Sequence, residues 1–169
     1  GTPIEGAFAD LNGDGVINEK DRYFVHTPEP DVVMGFNTNL TWKNWTLATS
    51  LRANIGNYVY NNVYSDLGNY SQVLNPNSFL MNTVNDIKNT KFYNRNLLSD
   101  YYLSNASFLK MDYVNIGYNF GRIGNFMDLG ITFSVQNVFT ITNYKGVEPE
   151  IAGGIDGNFY PNPRTFSLG

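Results

Sequence analysis

The 169-residue chain carries a net charge of −4 and a pI near 4.8, which argues against nucleic acid or anionic headgroups as partners, since both reward clustered Lys and Arg. It has no cysteine, so disulfides say nothing about compartment and cysteine-ligated metals are excluded. No run of about 18 apolar residues codes a transmembrane helix, while 25 asparagines and 15% aromatics favour strands joined by loops.

Charged residues make up 15% of the chain, against about 25% in an average soluble domain. A surface this poor in charge is either small or faces something other than water. The chain opens at Gly1-Thr2-Pro3 with no signal-peptide pattern, so the expectation is that the true N-terminus lies elsewhere.

The first motif is "DLNGDGVINEKD", residues 10–21. It follows the D-x-[DN]-x-[DN]-G template of calcium loops. Asp10, Asn12 and Asp14 would supply side-chain oxygens at positions one, three and five, and Gly15 permits the turn at six. Val16 would give its carbonyl at seven, Asn18 stands at nine, and Asp21 holds position twelve, where Glu is usual. Hard oxygens at these spacings suit Ca2+ as a structural ion. A solvated Asx-rich turn is the bland alternative. "GTPIEGAFA" upstream has a Pro and two Gly, so a helix–loop–helix sensor is not expected.

Next, "MGFNTNLTWKNWTLATSLRANIG", Met34 to Gly56, alternates in polarity. A two-residue turn at Lys43-Asn44 sets Trp42 opposite Trp45, Leu40 opposite Leu47, Phe36 opposite Leu51 and Met34 opposite Ala53. Thr41/Thr46, Asn39/Ala48, Asn37/Ser50 and Gly35/Arg52 then share the other face. Asn44 is the turn residue that tolerates positive φ. Tyr58 and Tyr60 fall on the polar parity unless a bulge near Gly56 shifts them.

A second pair, Phe108–Phe120 and Leu129–Phe139, flanks the loop "GRIGNFMD". Val114, Ile116, Tyr118 and Phe120 share one face, as do Leu129, Ile131, Phe133 and Val135. A last strand is expected near Arg164, with Phe166 and Leu168 on one side. Two long connections, about 60–105 and 140–163, separate these strands, and the first is expected to hold a short helix near "SFLMNTVNDIK". Loops this long are usually functional.

Alternating short turns and long loops describe an outer-membrane-type barrel, and strands of about 11–15 residues can span a bilayer. On that reading Phe36, Leu40, Trp42, Trp45, Leu47, Leu51, Ile116, Tyr118, Ile131, Phe133 and Val135 face lipid, with Trp42 and Trp45 in an aromatic girdle. A soluble β-sandwich has the same alternation with the apolar face inward.

Catalytic chemistry has little material. His26 sits in "VHTPEP" with no evident partner, and a lone loop histidine is usually solvated. Glu148 and Glu150 in "GVEPE" are read as surface residues rather than an acid/base pair. No enzyme is expected.

Several stretches together then resemble one family. "DLNGDGVINEKDR", "VNIGYNF", "VQNVFTITNYKGVEPE" and "YPNPRTFSLG" are similar, in this order, to the C-terminal barrel end of SusC/RagA-type TonB-dependent transporters of Bacteroidetes. The resemblance runs from about Gly6 to Gly169, and "YKGVEPE" followed by "YPNPRTFSLG" is its most specific part. It implies that residues 1–169 are all-β, about five C-terminal antiparallel strands of a large transmembrane barrel with long extracellular loops and short periplasmic turns. The plug and the TonB-contacting segment would lie N-terminal to it, and the final strand lacks the family's terminal aromatic residue.

The family implies a place in the bacterial outer membrane, import of glycans or peptides driven by TonB, and a SusD-like surface lipoprotein as lid. Residues 10–21, 60–105 and 140–163 would then be extracellular, where a calcium staple could rigidify a loop. Tyr58, Tyr60, Tyr64, Tyr70, Tyr101, Tyr102, Tyr144 and Tyr160 in the outer loops suit sugar stacking, a rim against the lid, or loop packing. The reading set against this is a soluble calcium-stabilised β-sandwich that binds glycan or protein. Substrate-binding residues are not specified by the sequence.

Overall fold

A computed structural model describes residues 3–71, 73, 76, 77, 79 and 81–169. In chain order its elements are β1 (Val32–Trp42), β2 (Trp45–Ile55), β3 (Tyr58–Tyr60), α1 (Asn62–Leu67), α2 (Ile87–Thr90), β4 (Leu103–Asn105), β5 (Phe108–Ile123), β6 (Met127–Thr142) and β7 (Thr165–Leu168). Two short 3-10 turns cover Glu19–Asp21 and Asp100–Tyr102. The chain divides into two compact units, Gly1–Pro28 with Tyr58–Ser104 and Ile151–Phe159, and Glu29–Asn57 with Asn105–Glu150 and Tyr160–Gly169.

The second unit is one antiparallel sheet in the order β1-β2-β5-β6-β7. The β1–β2 register is the one alternation dictates, with Trp42↔Trp45, Leu40↔Leu47, Phe36↔Leu51 and Met34↔Ala53. A one-residue slip would turn the whole apolar set to the other face, so the pattern holds the register. Lys43 rather than Asn44 takes the left-handed conformation, at φ 53°. Asn44 instead ties the turn to β5, donating from Nδ2 to the Asn119 carbonyl at 2.6 Å while the Asn119 N–H donates to its own carbonyl at 2.9 Å.

The second hairpin is longer than alternation predicted. Pairing continues through Gly121↔Leu129, Arg122↔Asp128 and Ile123↔Met127, so the connection shrinks from "GRIGNFMD" to Gly124–Phe126. A register shift between Asn119 and Gly121 hides this in the sequence, because it breaks the period of two. A second shift in the same pair of strands lies between Met111 and Tyr113. There Asn137, at φ 51°, donates from Nδ2 to the Pro163 carbonyl at 2.8 Å and accepts on its own carbonyl from Arg164 Nε at 3.3 Å. The irregular residue thus guides β7 onto the sheet edge.

Gly56 ends β2 at φ 93°, and a Cβ there would overlap the Asp31 carboxylate. Gly56→Ala is therefore expected to destabilise the sheet by about 1–3 kcal/mol, read as a lower urea midpoint for the full protein. The turn at Gly56 also moves Tyr58 and Tyr60 off the main sheet. They form β3, which pairs with β4.

The first unit packs its own small core around Val59, Ile87, Phe92 and Tyr102, all buried. Helix sits at 62–67, capped by Asn61 Oδ1 accepting from Tyr64 N–H at 3.0 Å, and at 87–90. The predicted helix over "SFLMNTVNDIK" is confined to its last two residues, since Met81–Val84 are irregular; Ser78 and Leu80 lie outside the described residues. Asn- and Thr-rich sequence competes for backbone hydrogen bonds and keeps the helix short.

Candidate functional site

The site is the sheet itself, because its two faces differ in chemistry across all five strands. Direct cross-strand partners share a face. One row reads Leu40, Leu47, Ile116, Phe133 and Leu168. Below it stand Trp42, Trp45, Tyr118 and Ile131. Trp45 meets Tyr118 edge-on at 4.7 Å, Tyr118 meets Phe120 at the same distance, and Lys43 Nζ lies 4.9 Å over the Trp42 ring. Above stand Thr38, Thr49, Val114, Val135 and Phe166, then Phe36 with Leu51.

This apolar face is uncovered. Phe36 is 63% exposed, Leu40 57% and Trp42 66%. A sandwich would bury these residues against a second sheet, so that alternative falls. Trp45, Ile116, Ile131 and Phe133 are exposed as well, and Leu47, Leu51 and Tyr118 half-exposed. Val135 departs from expectation: it shares the face but is buried, a short side chain in register between Val114 and Phe166.

The opposite face runs Asn39, Ala48, Asn115, Ser134 and Ser167. Asp112, Tyr113, Asn115, Ser134, Gln136, Asn137 and Ser167 line a shallow concavity of about 420 Å³ on it. Beside it lies a chain of charges that sequence reasoning missed. Arg52 pairs with Asp112 at 2.6 Å and with Glu150 at 2.6 Å. Lys110 lies 3.5 Å from Glu148 and 3.5 Å from Glu150. Glu150 is a surface residue, as expected, but ion-paired, and Glu148 is largely shielded. Strand parity placed Arg52 on the polar face, but nothing local announced that Asp112 and Glu150, 60 and 98 residues away, would reach it.

The acidic loop keeps its predicted members together, turned onto their own backbone. Asp10 accepts from the N–H groups of Gly13 at 2.7 Å and Gly15 at 2.8 Å, Asn12 Oδ1 from Asp14, and Asp14 Oδ1 from Val16. Asp21 Oδ2 accepts from Asn18 N–H at 2.8 Å and its Oδ1 from Leu11. The Asn18 N–H comes first, ahead of those of Asn12 and Leu11 and the Asp10 side chain, in holding the Asp21 carboxyl below its ordinary range. The Val16 carbonyl accepts from Asn18 Nδ2 at 3.0 Å. No three described His, Asp or Glu side chains converge into a metal cluster.

The donor set still fits a hard cation. The six candidate donors, on Asp10, Asn12, Asp14, Val16, Asn18 and Asp21, would all be oxygens. An ionised carboxylate offers about four lone-pair positions, so accepting one or two amide bonds leaves room for an ion.

Other loop groups serve packing. Tyr102 and Tyr144 are buried, and Tyr60 donates to Ser65 Oγ at 3.1 Å. Burial, with Tyr60 and Asp86 nearby, pushes the Tyr102 hydroxyl up to about 12. His26 has a partner after all, stacking on Tyr58 at 3.6 Å with 7° between the rings. Tyr160 remains 90% exposed. The Tyr93 and Asn94 N–H groups hold the Glu5 carboxyl below its ordinary range, tying the start of the chain to residues 93–94.

No protein-family model matches the chain. It is 36% identical, over 100% of its own length, to the TonB-dependent receptor SusC of Bacteroides thetaiotaomicron, and 30% identical over 96% to the TonB-dependent receptor P3 of Formosa agariphila. The chain spans 18% of the length of each of these relatives. Among solved structures it is similar to the RagAB peptide importer in its closed-closed state, at TM-score 0.66 and 22% identity over 98% of this chain and 20% of that one. It also matches the RagAB peptide transporter, at TM-score 0.68 and 21% identity over 90% of this chain and 18% of that one. A sheet with one uncovered apolar face, aligned end to end with such a receptor, belongs to the SusC/RagA-type TonB-dependent receptors of the bacterial outer membrane, and its five strands are part of their barrel.

Proposed function

We propose that this chain is the C-terminal barrel part of an outer-membrane importer of glycans or peptides, energised by TonB and working beneath a SusD-like lipoprotein. The observation that carries the reading is the five-strand apolar row from Leu40 to Leu168, uncovered on one side and backed by Asn, Ser and Thr on the other. The apolar side meets lipid. The polar side lines the lumen, and the Lys43 and Gly124 turns point to the periplasm. The named relatives support TonB coupling, and the RagAB structures supply the peptide half of the substrate range.

The test is purification of the full receptor from its native membrane in mild detergent. Co-purification of a surface lipoprotein, and loss of growth on a glycan or peptide source when the receptor is deleted, is the expected result. A receptor isolated alone, whose loss leaves uptake of every such nutrient unchanged, overturns the reading.

Residues 10–21 are proposed as a structural Ca2+ loop on the extracellular side. Calcium is expected to raise protease resistance at Gly13–Gly15 in the full protein, and Asp10→Ala should abolish that gain. Identical cleavage with Ca2+ and with chelator would remove the ion from the account.

A further inference from the structure

We propose that Tyr144–Glu150 is a strap folded inward onto the polar face of the barrel wall and clamped there by charge, forming a fixed lining of the passage rather than a free outer loop. The inward location of that face rests on the import reading. Lys110 and Arg52 are register partners on adjacent strands, so two cations stand side by side on the wall. A lysine as buried as Lys110, whose side chain is 5% exposed, is rare unless paired.

The strap supplies the pairing. Its alternation sends Glu148 and Glu150 to the wall and leaves Val147 60% exposed. Pro149 between the two acids fixes one φ and narrows the conformations the segment can adopt. The charges run Asp112, Arg52, Glu150, Lys110, Glu148 in one continuous series. Both ends are tied as well. At the entry, Thr142 Oγ1 donates to the Ser107 carbonyl at 2.8 Å and accepts from Tyr144 N–H at 3.0 Å. At the far side Asn162 Nδ2 donates to Glu148 Oε2 at 3.4 Å. Cargo crossing this part of the wall would touch Val147, not the cations behind it.

The experiment places a nitroxide on Val147→Cys in the full receptor, in a background without other reactive cysteines. On the exposed Val147 the label reports the order of the strap backbone and should move more slowly in the native clamp than on a free loop. In Arg52→Gln/Lys110→Met its correlation time should shorten about tenfold toward that of a free loop side chain. The pair Arg52→Lys/Lys110→Arg, which keeps both cations beside Asp112, Glu148 and Glu150, should retain most of the native order. If the cation variant does not fold, Glu148→Gln/Glu150→Gln keeps the shape and must free the label equally. A label that moves alike in native and clamp-deficient receptors, fast or slow, overturns the strap. Should the native receptor take up no nutrient while the label behaves as expected, the clamp stands and the import reading alone fails.

Discussion

Leu51→Lys is expected to destabilise the folded receptor by about 2–4 kcal/mol, whereas Asn39→Lys should fall within about 0.5 kcal/mol. Leu51 lies opposite Phe36 and Met111 on the apolar face, and Asn39 stands on the polar one. Between the Trp42/Trp45 pair and the Val32/Ile55 pair the register makes ten steps. At about 3.4 Å per step and a tilt near 40–45° these span about 25 Å, the height of a barrel's apolar band. Leu51 falls close to the middle of that band, where a lysine cannot reach either headgroup layer without distortion. Urea unfolding of the full receptor in lipid vesicles reads both variants. Equal penalties, or a larger one for Asn39→Lys, would mean the faces have been assigned the wrong way round.

Lys110→Met should cost about 3–5 kcal/mol, because it strands the shielded Glu148 carboxylate without its cation. Arg52→Gln should cost less. The Arg52 side chain is 41% exposed, so water screens the loss. Adding Glu148→Gln to Lys110→Met should recover part of the stability, since a neutral amide is cheaper to enclose than an unpaired charge. The same unfolding assay gives the four-member cycle. Additive effects would show that Lys110 and Glu148 do not act as a pair.

The hairpins were legible because a half-polar sheet writes its faces at period two, and the Lys43-Asn44 turn fixed which residues meet. Legibility failed where the period breaks. The shifts at Met111/Tyr113 and Asn119/Gly121 add residues that no alternation rule anticipates, so β5 and β6 looked shorter than they are. It failed again for the outer segments. Their order comes from contacts between residues far apart, such as Tyr23 donating to Asp100 at 2.7 Å and Gly6 N–H to Asn96 at 3.1 Å, and a local window contains neither partner. The pairing of Glu148 and Glu150 was missed for the same reason. Read with their neighbours they are loop acids, and only the fold brings Arg52 and Lys110 beneath them. The turn at residues 10–21 was legible because its hydrogen bonds are local, while the carboxylates of Asp10, Asp14 and Asp21 do not converge into a metal cluster.

The β5–β6 hairpin extends past the Trp42/Trp45 row, carrying Gly121 with Leu129 and Ile123 with Met127 on the same side, down to Phe126 at 93% exposed. With the apolar face toward lipid, as proposed, a bilayer around this wall would meet a greasy surface that is taller at one hairpin than at its neighbour. Lipids there must stretch, or the hairpin must dip into the headgroup zone, at a cost of a fraction of a kcal/mol per Å of mismatch. The circumference of the barrel is then uneven toward its surroundings, and that side is where acyl chains of a particular length would gather.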